Sequence, residues 1–152
     1  MEKFTKELDE AVDALLEVGR QVMKNPHDYG NCGVMLYMRE IHLIEAIENH
    51  PDFNLTQLAE LSGFTKGTVS KMISKLEKLS FIGRHQNSDN RKEVFFRLTP
   101  LGRRAFEGHY EFHEKKSAGT HKKYQEYTER EKKFILDFVR MYREYLQDYV
   151  SP

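Results

Sequence analysis

The chain has 152 residues, 39% hydrophobic and 32% charged, which suits one domain, or one domain plus helical extensions. No run approaches the ~18 apolar residues of a membrane span, and the acidic, amphipathic start MEKFTKELDEAVDALLEVGR is unlike a signal peptide, so a cytoplasmic protein is expected. Basic and acidic side chains balance at 24 each, which gives no whole-chain argument for a polyanionic partner, and the single cysteine, Cys32, excludes an internal disulfide framework.

In chain order, Phe4, Leu8, Ala11, Val12, Leu15, Gly19 and Val22 recur at helical spacing and predict a first helix, ended by Asn25-Pro26. Residues 29–32 read as a loop. A second helix is expected over residues 35–48, with Leu36, Ile41, Leu43, Ile44 and Ile47 mostly inward and a break at His50-Pro51-Asp52. Thr56 can cap a short helix that stops at Gly63, and Thr65 is a good N-cap for the next, over residues 66–79. Two strands, 84–87 and 93–98, are expected around the turn Ser88-Asp89-Asn90. The second alternates Val94, Phe96 and Leu98 against Glu93, Phe95 and Arg97. Thr99-Pro100 opens another helix carrying Leu101, Ala105, Phe106, Tyr110 and Phe112. Ala118-Gly119-Thr120 suggests a break or bend, and the run from Thr128 to Glu131 fits a capping box that starts a last helix. There Phe134, Phe138, Met141, Tyr142, Tyr145 and Tyr149 form one stripe. The order gives an α+β fold, mostly α.

Charge is concentrated in the middle. Residues 1–64 carry 5 basic and 12 acidic side chains, residues 65–92 carry 7 and 2, and residues 93–152 carry 12 and 10. Polyanion binding needs a local positive face rather than a global one. Wound at about 100° per residue, residues 66–79 place Val69, Met72, Ile73, Leu76 and Leu79 on one half. Lys66, Gly67, Ser70, Lys71, Ser74, Lys75 and Lys78 occupy the other, where Glu77 is the only acid. Lysines suit phosphates, small hydroxyl side chains suit close approach to base edges, and Gly67 removes bulk near the helix start. Taken alone, the face reads equally well as an ordinary solvated one. Its setting adds to it: a short helix, a turn holding Gly63 and a second amphipathic helix make a helix-turn-helix, whose second helix enters the major groove. The hairpin that follows has a polar, basic tip, HQNSDNRK, placed as a wing. No G-x-S-x-G elbow, phosphate-binding loop or dinucleotide fingerprint supports an enzyme.

Residues 55–103, LTQLAELSGFTKGTVSKMISKLEKLSFIGRHQNSDNRKEVFFRLTPLGR, resemble the multiple-antibiotic-resistance regulator (MarR) family of winged helix-turn-helix proteins. The elements that agree in order are the LA of the first motif helix, T-x-x-x-V-S, L-E-x-x-x-F-I-x-R, D-x-R at the wing tip and L-T-x-x-G-R after it. The resemblance implies a single MarR-type chain, 1–152. It would hold a DNA-binding lobe over 35–99 and helical dimerisation regions at 1–34 and 100–152, interleaved in a homodimer. It implies a sequence-specific transcriptional regulator of double-stranded DNA, an effector-responsive repressor on a pseudo-palindromic operator. By the family pattern Thr65, Lys66, Gly67, Thr68, Ser70, Lys71, Ser74 and Lys75 form the recognition region. Arg91, held by Asp89, enters the minor groove. Asn90 stands where the family often has a basic residue, which shifts weight to Lys92. The recognition face has no arginine for a bidentate guanine contact, so specificity is expected partly from the wing and DNA shape.

The effector is less legible. A small aromatic ligand between the dimer helices and the DNA-binding lobe is the family's common mode. His109 and His113, four apart on one helix, can converge on one metal, and His42, Glu40 and Cys32 are further zinc-ligand types. This layout is similar to that of zinc-sensing members, with His42, His109 and His113 as the metal set, although Glu40 is not adjacent to His42 as it is there. Histidines that bind no metal remain the alternative. Cys32 near Tyr29 and Tyr37 is also a candidate peroxide-sensing thiol.

Overall fold

Local chemistry sets most of the element boundaries. Asn54 is extended, its side chain accepts the Gln57 N–H at 3.1 Å, and Gln57 Oε1 accepts the Asn54 N–H at 2.9 Å. This reciprocal box makes Asn54, not Thr56, the cap of the third helix. Thr65 accepts the Thr68 N–H at 3.2 Å, and Thr128 with Glu131 closes the expected box at the start of the last helix.

The computed structural model describes residues 2–87 and 90–150, and for Glu2, Asn87, Asn90, Arg91 and Lys92 the backbone alone. The order is α1 (Glu2–Lys24), a 3-10 turn (Tyr29–Asn31), α2 (Met38–Asn49), α3 (Leu55–Ser62), α4 (Lys66–Lys78), β1 (Ile82–Asn87), β2 (Asn90–Leu98), α5 (Pro100–Glu126) and α6 (Glu129–Asp148). The fold is α+β and mostly α, as expected. Two compact units divide the chain within α5, one ending at Phe112 and the other beginning at His113. No helix among the described residues is long and apolar enough to cross a membrane.

The core lies in the first unit. Leu36, Ile41, Ile44 and Ile47, Leu58 of α3, Val69, Ile73 and Leu76 of α4 and Phe81 are almost fully buried. β1 and β2 pair antiparallel, with Ile82 opposite Leu98 and Arg84 opposite Phe96. Both strands start earlier than the spacing suggested. The expected alternation also fails at one place: Phe95 is buried as well as Phe96. Its cross-strand partner His85 packs beside it at 5.7 Å between ring centroids, and Asn54 bridges to its backbone.

The first turns of α5 sit hard against this core. Thr99 donates its hydroxyl to the Ser80 carbonyl at 2.6 Å and accepts the Gly102 N–H at 3.1 Å. A Cβ on Gly102 would lie 2.0 Å from the Phe81 carbonyl oxygen, and one on Gly108 would lie 2.1 Å from the Gly30 nitrogen. Arg104 donates to the carbonyls of Gly30 and Asn31 at 2.7 and 2.6 Å, and Arg103 pairs with both oxygens of Glu48. The expected break at residues 118–120 does not occur, and α5 runs on to Glu126. Gly119 costs a helix only about 1 kcal/mol relative to alanine, too little to end one so well populated with lysine and glutamate.

Candidate nucleic-acid interface

α4 is fixed by what it buries. Val69, Met72, Ile73 and Leu76 face the core, which leaves Lys66, Gly67, Lys71 and Ser74 exposed and Thr68 and Ser70 half-buried on the other face. Thr65 caps the helix and its hydroxyl lies 2.9 Å from that of Thr68, while Ser74 donates to the Ser70 carbonyl at 2.9 Å. The small hydroxyl side chains stay close to the helix and the lysines stand out, which suits a surface reaching into a groove.

Two acids modify this face. Glu77 accepts from Arg84 Nε at 2.7 Å, and that hydrogen bond holds the Arg84 guanidinium above its ordinary pKa. Glu40, at the start of α2 and only 3% exposed, accepts from Lys75 Nζ at 2.7 Å and from the Tyr37 N–H at 3.0 Å. Lys75 Nζ also lies 5.6 Å from the Tyr37 ring centroid. The sequence offers no signal for this tie, whose partners are 35 positions apart. The Glu77–Arg84 pair, seven apart across a helix end and a strand start, was within reach of pattern reasoning.

Of the wing residues, Asp89 lies outside the described residues, as do the side chains of Asn90, Arg91 and Lys92. The backbone of Asn90 to Lys92 begins β2.

The candidate metal residues are partly drawn together. His109 is buried, 5.1 Å from the Tyr29 ring and 5.3 Å from the His42 ring, and His113 follows it by one turn of α5. Glu40 is committed to Lys75 and Tyr37, not to this group. Cys32 Sγ lies 3.8 Å from the Leu101 carbonyl, and burial pushes its thiol above the ordinary pKa, against the pull of Arg104. That opposes an activated thiolate.

Residues 36–94 match the sequence profile of the MarR family. That segment is a MarR-family domain. Among curated relatives, it is 38% identical over 109 residues to the uncharacterized HTH-type transcriptional regulator YhjH of Bacillus subtilis (strain 168), across 72% of this chain and 61% of YhjH. The chain thus spans about three fifths of the length of the curated relatives it matches first. Those relatives are transcriptional regulators, not enzymes. Two solved structures share the fold of this chain. Streptococcus pneumoniae FabT in complex with DNA aligns with a TM-score of 0.65 at 22% identity, over 97% of this chain and 98% of FabT. The zinc-responsive MarR family member ZitR of Lactococcus lactis aligns with a TM-score of 0.73 at 17% identity, over 94% of this chain and 99% of ZitR.

Proposed function

We propose that this chain is a cytoplasmic, sequence-specific DNA-binding transcriptional regulator, an effector-responsive repressor that acts as a homodimer on a pseudo-palindromic site. The observation that carries the reading is the two-faced α4: four buried apolar anchors set the helix, and Lys66, Lys71 and Ser74 project from its opposite face. Arg91 and Lys92 are assigned to the wing contact, with Asp89 and Asn90 shaping its turn. The solved FabT–DNA complex, on the same fold, supports the direction of the reading.

The homodimer is supported by apolar surface that the chain leaves open. α6 has no buried residue among those described, and Phe134, Leu136, Val139 and Met141 are each more than half exposed. α1 likewise exposes Phe4, Leu15, Val18 and Met23. Large apolar side chains left exposed along two helices support association. An effector is supported by a cavity of about 450 Å³ in the first unit, lined by Met23, Met38, Arg39, His42, Leu61 and Phe64 among others.

A zinc-responsive regulator is the second reading. It rests on the rings of His42 and His109, tilted to each other with centroids 5.3 Å apart, with His113 one turn further along α5, and would have those three imidazoles as ligands. Calorimetric titration with zinc would support it if His109→Ala abolished binding, and would reject it if wild type and variant behaved alike.

The primary reading is tested by selecting genomic fragments on the full chain and measuring affinity for the recovered duplex. Tight binding to a pseudo-palindrome is expected. Equal affinity for every duplex would contradict sequence-specific regulation.

A further inference from the structure

Among the described residues, Lys75 is the one lysine of α4's polar face held in an ion pair. The partner is unusual, because the Glu40 side chain is 4% exposed while that of Lys75 is 42% exposed. A carboxylate so thoroughly buried needs its hydrogen bonds filled, and removing one partner leaves an uncompensated charge away from water. Glu40 has one oxygen on the Tyr37 N–H and the other on Lys75 Nζ. Moving Lys75 out to a DNA phosphate would strip the second oxygen. Lys66 and Lys71 carry no such obligation, and both stand exposed.

We propose that Glu40 is a positioning residue which withholds Lys75 from DNA, so that α4 meets the phosphates with Lys66 and Lys71 and not with Lys75. The tie does two things. It pins the C-terminal half of α4 to the start of α2, in addition to the apolar packing of Ile73 and Leu76. It also lowers the number of free ammonium groups on the face, and each such group adds to sequence-independent attraction for any duplex. A face that spends one cation internally sacrifices some non-specific affinity and leaves a larger share of binding to the groove contacts.

The inference rests on the DNA-binding reading above, and salt dependence separates the two. Each phosphate contact contributes about 0.9 to the slope of log affinity against log salt concentration. Fluorescence anisotropy with the full chain, on a selected fragment and on an unrelated duplex, would compare wild type with Lys71→Met, Lys75→Met and Glu40→Gln. Lys71→Met is expected to lower the slope by about 0.9, and Lys75→Met to leave it unchanged. Glu40→Gln keeps the shape and the acceptor oxygen but releases the ammonium, so it is expected to steepen the slope by about 0.9 on the unrelated duplex. Affinity there should rise severalfold. A stability defect alone does not change the slope, and if Lys75→Met, which leaves Glu40 without its cation, fails to fold, Glu40→Gln decides: an unchanged slope there would overturn the proposal. A drop for Lys75→Met equal to that for Lys71→Met would overturn the proposal while sparing the DNA-binding reading. Failure of the wild type to bind any duplex would remove both.

Discussion

Glycines of α5 show how strongly single positions are constrained. Gly102 and Gly108 bring the helix within touching distance of the Phe81 and Gly30 backbones, whereas a Cβ on Gly119 would have nothing within 4 Å. Gly102→Ala is therefore expected to destabilise by about 1–3 kcal/mol through overpacking, and Gly119→Ala to stabilise by about 0.5–1 kcal/mol. Chemical denaturation of the two variants should move in opposite directions; a shift in the same direction would mean that the close approach around Gly102 is relieved at no cost. Cys32 gives a second expectation at this scale. With its thiol raised by burial, alkylation at neutral pH should be slower than for an unperturbed thiol. Faster alkylation would reopen the redox reading.

At the scale of elements, α4 illustrates what pattern alone makes legible. Its cap at Thr65, its apolar stripe and its lysine–serine face all follow from spacing, and all stand in the structure. What spacing misses is whatever depends on distant parts of the chain. Glu40 sits in α2 beside other charged residues with no local hint that it belongs to Lys75, and Phe95 lies on the face of β2 that alternation assigns to solvent. The cap of α3 shifts from Thr56 to Asn54 because a reciprocal pair with Gln57 satisfies two backbone donors that a lone threonine cannot. Replacing Thr65 by alanine should cost about 1 kcal/mol of stability and weaken DNA binding, since the first turn of α4 carries Lys66 and Thr68. Thermal melting and anisotropy on one preparation would check both, and unchanged binding would move the contact surface away from the N-terminal turn.

For the whole molecule, the apolar residues exposed along α1 and α6 are the surface proposed to meet a second copy. Sedimentation equilibrium should give a dimer, and Phe134→Asp should yield a monomer that binds a half-site weakly. A wild-type monomer would leave those faces without their assigned role. The zinc and small-molecule readings differ in their ligands but share the fold, which is why the lobe was readable from residues 55–103 while the effector was not: a cavity is assembled from Met23, Arg39, Leu61 and Phe64, residues that no local motif links.

In the function proposed for this chain, α4 and the wing meet double-stranded DNA. Its most direct test is the affinity of wild type, Lys71→Ala and Arg91→Ala for a selected duplex, measured across a range of salt concentrations. Affinity is expected to fall steeply with salt for the wild type, and each variant should bind more weakly with a slope shallower by about 0.9. Variants that bind as tightly as wild type, with the same slope, would contradict the assignment of both surfaces.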